Sequence, residues 1–305
     1  MKKFTLLMAI VLLGHYSKAQ EDSAKINATV ADTSAYRGKS DTIRVGNILI
    51  IKRNKKNKDG EEKGTDITMG RNNNERKKNA KVSTNWWVMD VGFSNYDDKT
   101  NYAATGTYLV NKPGSPAFGT GDFKLRTGKS INVNIWFFMQ RLSLIKNYVN
   151  LKYGLGIELN NYRYKAALSY KENGTIPYTA GTQTSNAFIY RDSIAFSKNK
   201  LAADYLTIPF MINFNSNPYA SKKGISVSLG ASAGYLYSQR NKQKSAERGK
   251  HKNKGEYDME KLKLSYIAEL GLGPVRLYGS YSPKSMYEKG LDMRPYTVGF
   301  RFSNW

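Results

Sequence analysis

The sequence contains no cysteine, and this absence removes several kinds of chemistry. There can be no disulfide framework, no thiol nucleophile and no cysteine that carries a lipid anchor. Histidine is almost absent as well, with His15 near the amino terminus and His251 the only other one. No spacing of histidine and carboxylate residues matches a metal-ligand motif. We therefore expect neither a metal nor a cofactor.

Long apolar runs are also lacking. Residues 4–13 are apolar, follow Lys2 and Lys3, and precede a small-residue stretch that ends at Ala19 and Gln20. This pattern predicts a secretory signal peptide over residues 1–20. The run is shorter than the roughly 20 apolar residues that a membrane-spanning helix needs. Because no later segment is more apolar, we predict that any membrane insertion uses strands.

Acidic residues are scarce relative to basic ones. The chain has 24 Asp and Glu against 48 Lys and Arg, which gives a formal net charge of +24. A charge of this size indicates an anionic neighbour. Because the chain is expected to be exported, we predict no nucleic acid partner and favour lipopolysaccharide phosphates or acidic polymers. A solvated basic surface without a specific partner is the alternative.

Residues 21–83 are predicted to form a largely disordered, basic periplasmic extension. The segment is rich in Lys, Asn, Asp and Gly, a composition that buries too little apolar area to offset the entropy of ordering. One β-prone island, residues 42–51, differs from the rest. This island is compatible with a small hairpin, a partner-binding strand or an edge that docks under the following domain.

From residue 84 onward, apolar residues alternate with small or polar residues in eight runs. In an extended strand, alternate side chains point to opposite faces. The last run shows the pattern, because Val298, Phe300 and Phe302 alternate with Gly299 and Arg301. The other runs cover about residues 87–94, 131–140, 149–160, 206–214, 225–235, 262–270 and 275–281. The first two place Trp87, Phe137 and Met139 on the apolar face.

Most of these runs have the 9–11 residues that a tilted strand needs to cross a bilayer. The connections alternate between long polar segments (around 95–130, 163–200, 239–260 and 283–294) and short ones (141–148, 215–223 and 272–274). This layout predicts an all-β fold, an eight-stranded antiparallel up-and-down transmembrane β-barrel over residues 84–305, monomeric, with both termini in the periplasm. A soluble lipocalin-like calyx has the same period, but its non-cavity face should be charged, whereas here that face is mostly Gly, Ser and Asn.

Three segments give the chain a resemblance to a known family. They are Tyr153-Gly154-Leu155-Gly156-Ile157-Glu158, Tyr205-Leu206-Thr207-Ile208-Pro209-Phe210 and the final strand. Residues 84–305 resemble the PorT-like outer-membrane β-barrel family, whose plan is close to the small OmpX- and OmpA-type barrels. Residues 41–46 resemble the amino-terminal extensions of such proteins. The resemblance implies an outer-membrane location but no particular activity. Trp305 departs from it, because Phe302 fits the usual terminal aromatic position better.

Seven charged residues fall on the small-residue face and are predicted to form a charge network in the barrel lumen. They are Asp90, Lys152, Glu158, Lys263, Glu269, Arg276 and Arg301. A two-residue turn at Leu272-Gly273 would place Glu269 opposite Arg276, with Arg301 on the next strand. A carboxylate between two guanidinium groups would have its desolvation offset by charge-assisted hydrogen bonds. Such a network serves either as a plug of paired side chains or as a gate or proton path.

The third long loop is strongly basic. Its cationic residues are candidates for contact with anionic lipid, and they are Arg240, Lys242, Lys244, Arg248, Lys250, Lys252 and Lys254. His251 lies among them, and some eight-stranded barrels modify lipids with a histidine-assisted serine. Three functions follow: a non-enzymatic anchor, interaction or secretion-accessory barrel, which we favour; an outer-membrane lipid-modifying enzyme; and a soluble ligand-binding barrel. Eight strands leave no bore for nutrient diffusion.

Overall fold

The structure is a computed structural model of the chain. It describes residues 40–45, 48–56, 61–68, 81–218 and 224–303, with the backbone alone up to residue 68. Contacts divide the chain into two compact units, Met1–Arg76 and Lys77–Trp305. Within the described ranges, no helix is long and apolar enough to cross a membrane. The helices found there are short 3-10 turns at Tyr102–Ala104, Gly106–Tyr108 and Thr127–Lys129.

The first unit contains a small antiparallel sheet. Its strands are β1 (Ser40–Val45), β2 (Ile48–Lys56) and β3 (Glu61–Thr68), in the order β1-β2-β3. The β-prone island forms a hairpin within it, because Thr42 pairs with Ile51. The third strand was not predicted, since its sequence is polar. The predicted signal peptide and most of the remaining extension lie outside the described residues.

The second unit is built around a closed ring of eight antiparallel strands. In chain order its described strands are β4 (Val82–Asp98), β5 (Leu109–Val110), β6 (Ile131–Ile145), β7 (Val149–Arg163), β8 (Leu168–Lys171), β9 (Gly174–Thr175), β10 (Gln183–Thr184), β11 (Phe188–Arg191), β12 (Lys198–Asn215), β13 (Ile225–Ser245), β14 (Gly249–Lys254), β15 (Leu262–Leu272), β16 (Val275–Tyr281) and β17 (Met293–Phe302). The ring runs β4-β6-β7-β12-β13-β15-β16-β17 and closes where β17 pairs with β4. The predicted eight-stranded up-and-down barrel is confirmed.

The barrel wall has an apolar outside and a polar inside. Outward residues such as Phe210, Leu229 and Val298 are more than half exposed, at 55%, 56% and 59%. Their inward neighbours along the strands, including Ser228 and Thr297, are buried. A soluble calyx requires the opposite arrangement, with the apolar rows facing a cavity, so that alternative is wrong.

The two ends of the barrel differ in their connections. The short-turn end has connections at residues 146–148, 216–224 and 273–274, whereas the long-loop end has them at 99–130, 164–197, 246–261 and 282–292. Several strands continue past the wall at the long-loop end. In particular, β13 extends to Ser245 and pairs with β14, so most of the predicted third loop is a β-hairpin.

A β-bulge changes the predicted phase of β6. Trp136 pairs with Gly156 of β7 and Phe138 with Leu155, so Phe137 is an extra residue in β6. On the other side of β6, Trp87 of β4 lies at the same level, between the pairs Trp86–Phe138 and Val88–Trp136. Trp87 has a φ of 56°, and both Trp86 and Trp87 are exposed. Because one extra residue moves all later side chains to the other face, Met139 points into the lumen and is fully buried. The prediction that Met139 lies on the outer face is wrong.

The turn between β15 and β16 also differs from its prediction. Leu272 pairs with Val275, so the loop residues are Gly273 and Pro274, and Glu269 lies opposite Tyr278. Gly273 has a φ of 59°, which fits the first central position of a type II′ turn. A leucine at that position would be strained. The predicted register is therefore wrong by two residues, a slip that leaves every side chain on its predicted face.

The long loops fold over their end of the barrel and form an apolar core there, which we call the cap. Its buried residues include Phe123, Leu168, Tyr170 and Ile189. The loop strands β5, β8 and β11 form a separate three-stranded sheet, and Leu168, Tyr170 and Ile189 of this sheet belong to the core. Arg191 fixes the loops to one another, because its guanidinium contacts both carboxylate oxygens of Asp122 at 2.8 Å.

Candidate functional site

The lumen brings together all seven charged residues that the strand phase placed on its inner face. Each of them is buried, with exposure between 0% and 7%. Buried charges are costly unless they are paired and hydrogen-bonded. The pairing inside the lumen therefore decides what this region can do.

Arg301 on the last strand connects two carboxylates. Its Nε and Nη2 atoms donate to Asp90 at 2.7 and 2.8 Å, a bidentate contact with the neighbouring strand β4. Its Nη1 atom donates to Glu269 Oε2 at 2.7 Å. Planar guanidinium groups suit this geometry, because their donors match two carboxylate oxygens at once.

Glu269 is the centre of the cluster. Besides Arg301, Arg276 donates to its Oε1 atom at 3.0 Å and Lys152 at 2.9 Å. Arg276 reaches Glu269 diagonally across the β15–β16 pair, despite the register slip. Lys152 comes from β7, across the lumen, so these contacts connect strands that are not neighbours in the wall.

The remaining two predicted residues form a second pair. Lys263 makes a short ion pair with Glu158, which also accepts a hydrogen bond from Asn160 Nδ2 at 3.0 Å. Thr207 donates to the other oxygen of Glu158 at 3.4 Å. The seven residues thus form two ion-paired groups. Three asparagines connect the groups by hydrogen bonds, because Asn134 donates to Asp90, Asn132 donates to both Asn134 and Asn160, and Asn160 donates to Glu158.

Several polar and aromatic residues complete the lumen, and the sequence analysis did not select them. Trp136 donates from Nε1 to Asp90 at 2.8 Å, and Asn134 donates to the same carboxylate at 3.1 Å. The Tyr278 ring crosses above two inward glycines; a Cβ at Gly299 would lie only 2.7 Å from its Cε1 atom. The sequence signal that could have identified these residues is an inward position in the strand alternation. For Tyr278, a second signal is a ring large enough to cover the neighbouring inward glycines.

The lumen has little free space beside this cluster. A cavity lined by Trp136, Glu158, Tyr278 and Arg301 has a volume of about 20 Å³. That is room for about one water molecule. In the described part of the chain, no group of three or more His, Asp or Glu residues is arranged to hold a metal ion.

The cap closes the long-loop end with tyrosines. Tyr170 donates to the Tyr164 hydroxyl at 2.6 Å and contacts the Tyr287 hydroxyl at 3.1 Å. Tyr108 donates to the Tyr257 carbonyl at 2.7 Å. Burial raises the pKa of Tyr170 and Tyr287 well above the ordinary tyrosine value, and that of Tyr257 to about 12.

The predicted basic residues lie on the hairpin of β13 and β14. Arg240, Lys242 and Lys244 point outward from β13 and pair with Lys254, Lys252 and Lys250. Arg248 lies in the hairpin turn instead, and it contacts Asp192 at 2.8 Å. Arg248 is therefore separated from the other six by its position and its partner.

Comparison with known proteins identifies the family. Residues 90–283 match the family model described as outer membrane protein beta-barrel domain. The chain belongs to this family. Like its relatives, this barrel is an outer-membrane protein of a Gram-negative-type envelope. The apolar outer wall thus faces lipid, the short turns face the periplasm and the capped end is extracellular.

Solved structures add little to this assignment. The barrel is similar to the crystal structure of Ail, the attachment invasion locus protein of Yersinia pestis, in complex with the heparin analogue sucrose octasulfate. The identity is 10%, the match covers 73% of this chain and 100% of that one, and the TM-score is 0.28. A structure from work on the asymmetric conductivity of engineered proteins matches at 10% identity, with 73% and 99% coverage and a TM-score of 0.16. Both TM-scores are too low to support an argument. The comparison with curated proteins gave no significant match.

Proposed function

We propose that this outer-membrane barrel is a non-enzymatic, monomeric interaction protein: an anchor for its periplasmic unit and a platform for extracellular contacts. The observation that carries the proposal is the closure of the barrel at two levels, by the ion-paired lumen and by the cap. Transport through the barrel would have to break both. The parts of the barrel that remain available for a function are then its outer surfaces.

The charged lumen supports a plug rather than a gate or proton path. Glu269 is held by three cationic groups from three different strands, so neutralising or moving it would deprive Lys152, Arg276 and Arg301 of the carboxylate that they share. Reconstituted into planar bilayers, the full barrel should carry no steady ion current. A stable open-channel current would contradict the plug.

We further propose that a mature chain begins near residue 21 and that its amino-terminal unit is the periplasmic contact. The resemblance to PorT-like barrels supports a partner in a secretion or envelope complex. The β1–β3 sheet supports a protein partner, because its edge strands β1 and β3 each have one unpaired side in the described sheet.

Co-purification tests this proposal. The full barrel and a variant that keeps the signal peptide but lacks residues 21–76 would be extracted from outer membranes in detergent, and the retained proteins compared. We expect envelope proteins that depend on residues 21–76. A matched variant with the loop residues 179–185 replaced by glycine and serine should keep them. Identical sets from the full and shortened chains would overturn the assignment of the periplasmic contact.

The lipid-modifying alternative depends on His251. This residue is exposed on β14, and the described residues give its side chain no hydrogen bond or ion pair. A histidine that activates a serine needs that hydroxyl within hydrogen-bond reach. A change in lipid A or phospholipid acylation in membranes that carry His251→Ala would favour the enzyme instead.

A further inference from the structure

Cationic residues of four strands line up on the outer surface at the extracellular end. Arg163 of β7 is the partner of Lys200 on β12, which is the partner of Lys242 on β13, which is the partner of Lys252 on β14. Cross-strand partners lie on the same face of a sheet. The four charges therefore form one row around the wall.

Two further rows lie on either side. Lys198, Lys244 and Lys250 are successive partners in one, and Arg240 and Lys254 form the other. We call these nine residues the basic face. None of Arg163, Lys198 and Lys200 was selected from the sequence, because they lie far from the basic hairpin along the chain. Strand register alone brings them together.

A single bulge turns this face outward. Tyr205 pairs with Leu236, but Asp204 pairs with Ser238, so Tyr237 is an extra residue in β13. Because the side-chain period is two, the bulge reverses the phase of everything beyond it. Without it, Arg240, Lys242 and Lys244 would point toward the buried side that Asn241 and Gln243 now occupy.

The basic face begins where the lipid-facing surface ends. Below it on β13, Tyr235 and Tyr237 are 56% and 51% exposed, and Leu229 lies further down the same face. Exposed aromatic side chains at this level are typical of the membrane–water interface of outer-membrane barrels. The nine cationic groups therefore lie at the height of the outer-leaflet headgroups.

The face has almost no acidic counterpart of its own. Asp204 lies on it and makes a short ion pair with Arg240, while Asp192 is paired with Arg248 in the hairpin turn. Like charges directly opposite each other destabilise a sheet. Anions from outside the chain would stabilise such an arrangement, and phosphates are well matched to several lysines at headgroup depth.

We propose that the basic face binds the phosphate groups of outer-leaflet lipid, specifically a phosphorylated lipid A. This inference uses the outer-membrane location and does not depend on the proposed interaction role. Soluble polyanions carry the same kind of anionic groups. The basic face continues directly from the lipid-facing wall, however, so the anions that lie against it are the headgroups of membrane lipid.

The test compares matched charge changes. The full barrel in neutral detergent is titrated with bisphosphorylated lipid A and, separately, with the same lipid after dephosphorylation. The row variant Lys200→Gln/Lys242→Gln/Lys252→Gln loses three charges from the face. The control Lys112→Gln/Lys146→Gln/Lys289→Gln loses three from exposed lysines elsewhere. A charge-preserving variant changes the same row residues to arginine.

The row variant should weaken binding of bisphosphorylated lipid A by at least about tenfold, since it removes three cationic groups from the contact with an anionic surface. The control and arginine variants should bind as the parent does, and dephosphorylated lipid should bind all proteins weakly. Equal weakening by the control, or unchanged binding by a folded row variant, would overturn the proposal. So would full competition by a sulfated oligosaccharide, which would assign the face to a soluble polyanion.

Discussion

The lumen and the cap close the same barrel, but the lumen is filled with polar and charged side chains and the cap with apolar ones. In the lumen, the buried groups are carboxylates, guanidiniums and amides around Glu269. In the cap, they are aromatic and aliphatic side chains around Tyr170. The change occurs within single strands: β7 turns Lys152 and Glu158 inward at membrane height and Tyr162 inward beyond it.

The reason is the solvent on the other side of the wall. At membrane height lipid surrounds the strands, so the apolar half of each strand faces out and the polar half is left to fill the lumen. Beyond the membrane, water surrounds the same strands, and the ordinary hydrophobic effect buries their apolar half. One continuous sheet therefore has a polar interior in one part and an apolar interior in the next.

The largest effect is expected for Glu269→Ala in the lumen. The change leaves Arg276, Arg301 and Lys152 without their shared carboxylate, and breaking a buried ion pair on one side costs about 3–5 kcal/mol. The free energy of unfolding in detergent, measured with urea, should fall accordingly. Glu256→Ala is the control, because its side chain is 69% exposed. Equal unfolding midpoints for Glu269→Ala and the parent would show that the buried ion pairs do not stabilise the lumen. The contrast with the apolar cap would then not hold.

A smaller and local effect is expected for Tyr170→Ala in the cap. Truncating a fully buried aromatic side chain costs about 3 kcal/mol or somewhat more, because it leaves a cavity. The loops should become sensitive to protease while the barrel keeps its strand content by circular dichroism. Tyr148→Ala, in a short periplasmic turn and 44% exposed, should leave loop cleavage unchanged. If Tyr170→Ala unfolds the whole barrel at once, cap and lumen are one cooperative unit.

Gly299→Ala should have a moderate effect that is confined to the lumen. The added Cβ would lie 2.7 Å from Tyr278 and 2.5 Å from the Gly92 Cα atom. Overpacking of this kind costs about 1–3 kcal/mol. Urea unfolding measures it, with Gly128→Ala as control because nothing lies within 4 Å of its Cβ position. Loop protease sensitivity that rises along with the loss of stability would argue against two separable regions.

Alkaline pH should loosen the cap. Burial raises the tyrosine pKa in the cap, so the folded state disfavours tyrosinate. The stability from these tyrosines is fully present below the ordinary pKa of about 10 and is lost as pH rises toward the folded value. For Tyr257 that window lies between about 10 and about 12. Loop cleavage that rises together with tyrosinate absorbance would show it. Cleavage independent of pH across this window would contradict the prediction.

Strand phase made much of this architecture predictable. It identified the eight strands, the lipid-facing rows and all seven charged residues of the lumen, because burial in a barrel follows alternation. It failed where one residue breaks the alternation. Met139 was assigned to the wrong face because Phe137 is an extra residue in β6. The pairing of Glu269 was predicted from a turn at Leu272-Gly273, whereas Gly273 and Pro274 form the turn.

By itself, the sequence determined which surfaces are apolar and that a closed sheet must present them to lipid. The reason is that a strand with period-two alternation has only two faces, so its apolar residues all lie on one of them. Only the tertiary structure decided which lumen charges meet, that the loops form a cap, and that Arg163 and Lys200 continue the basic row of the hairpin. Those outcomes depend on strand register and bulges. Both are set by contacts between residues far apart in the chain, which no local pattern encodes.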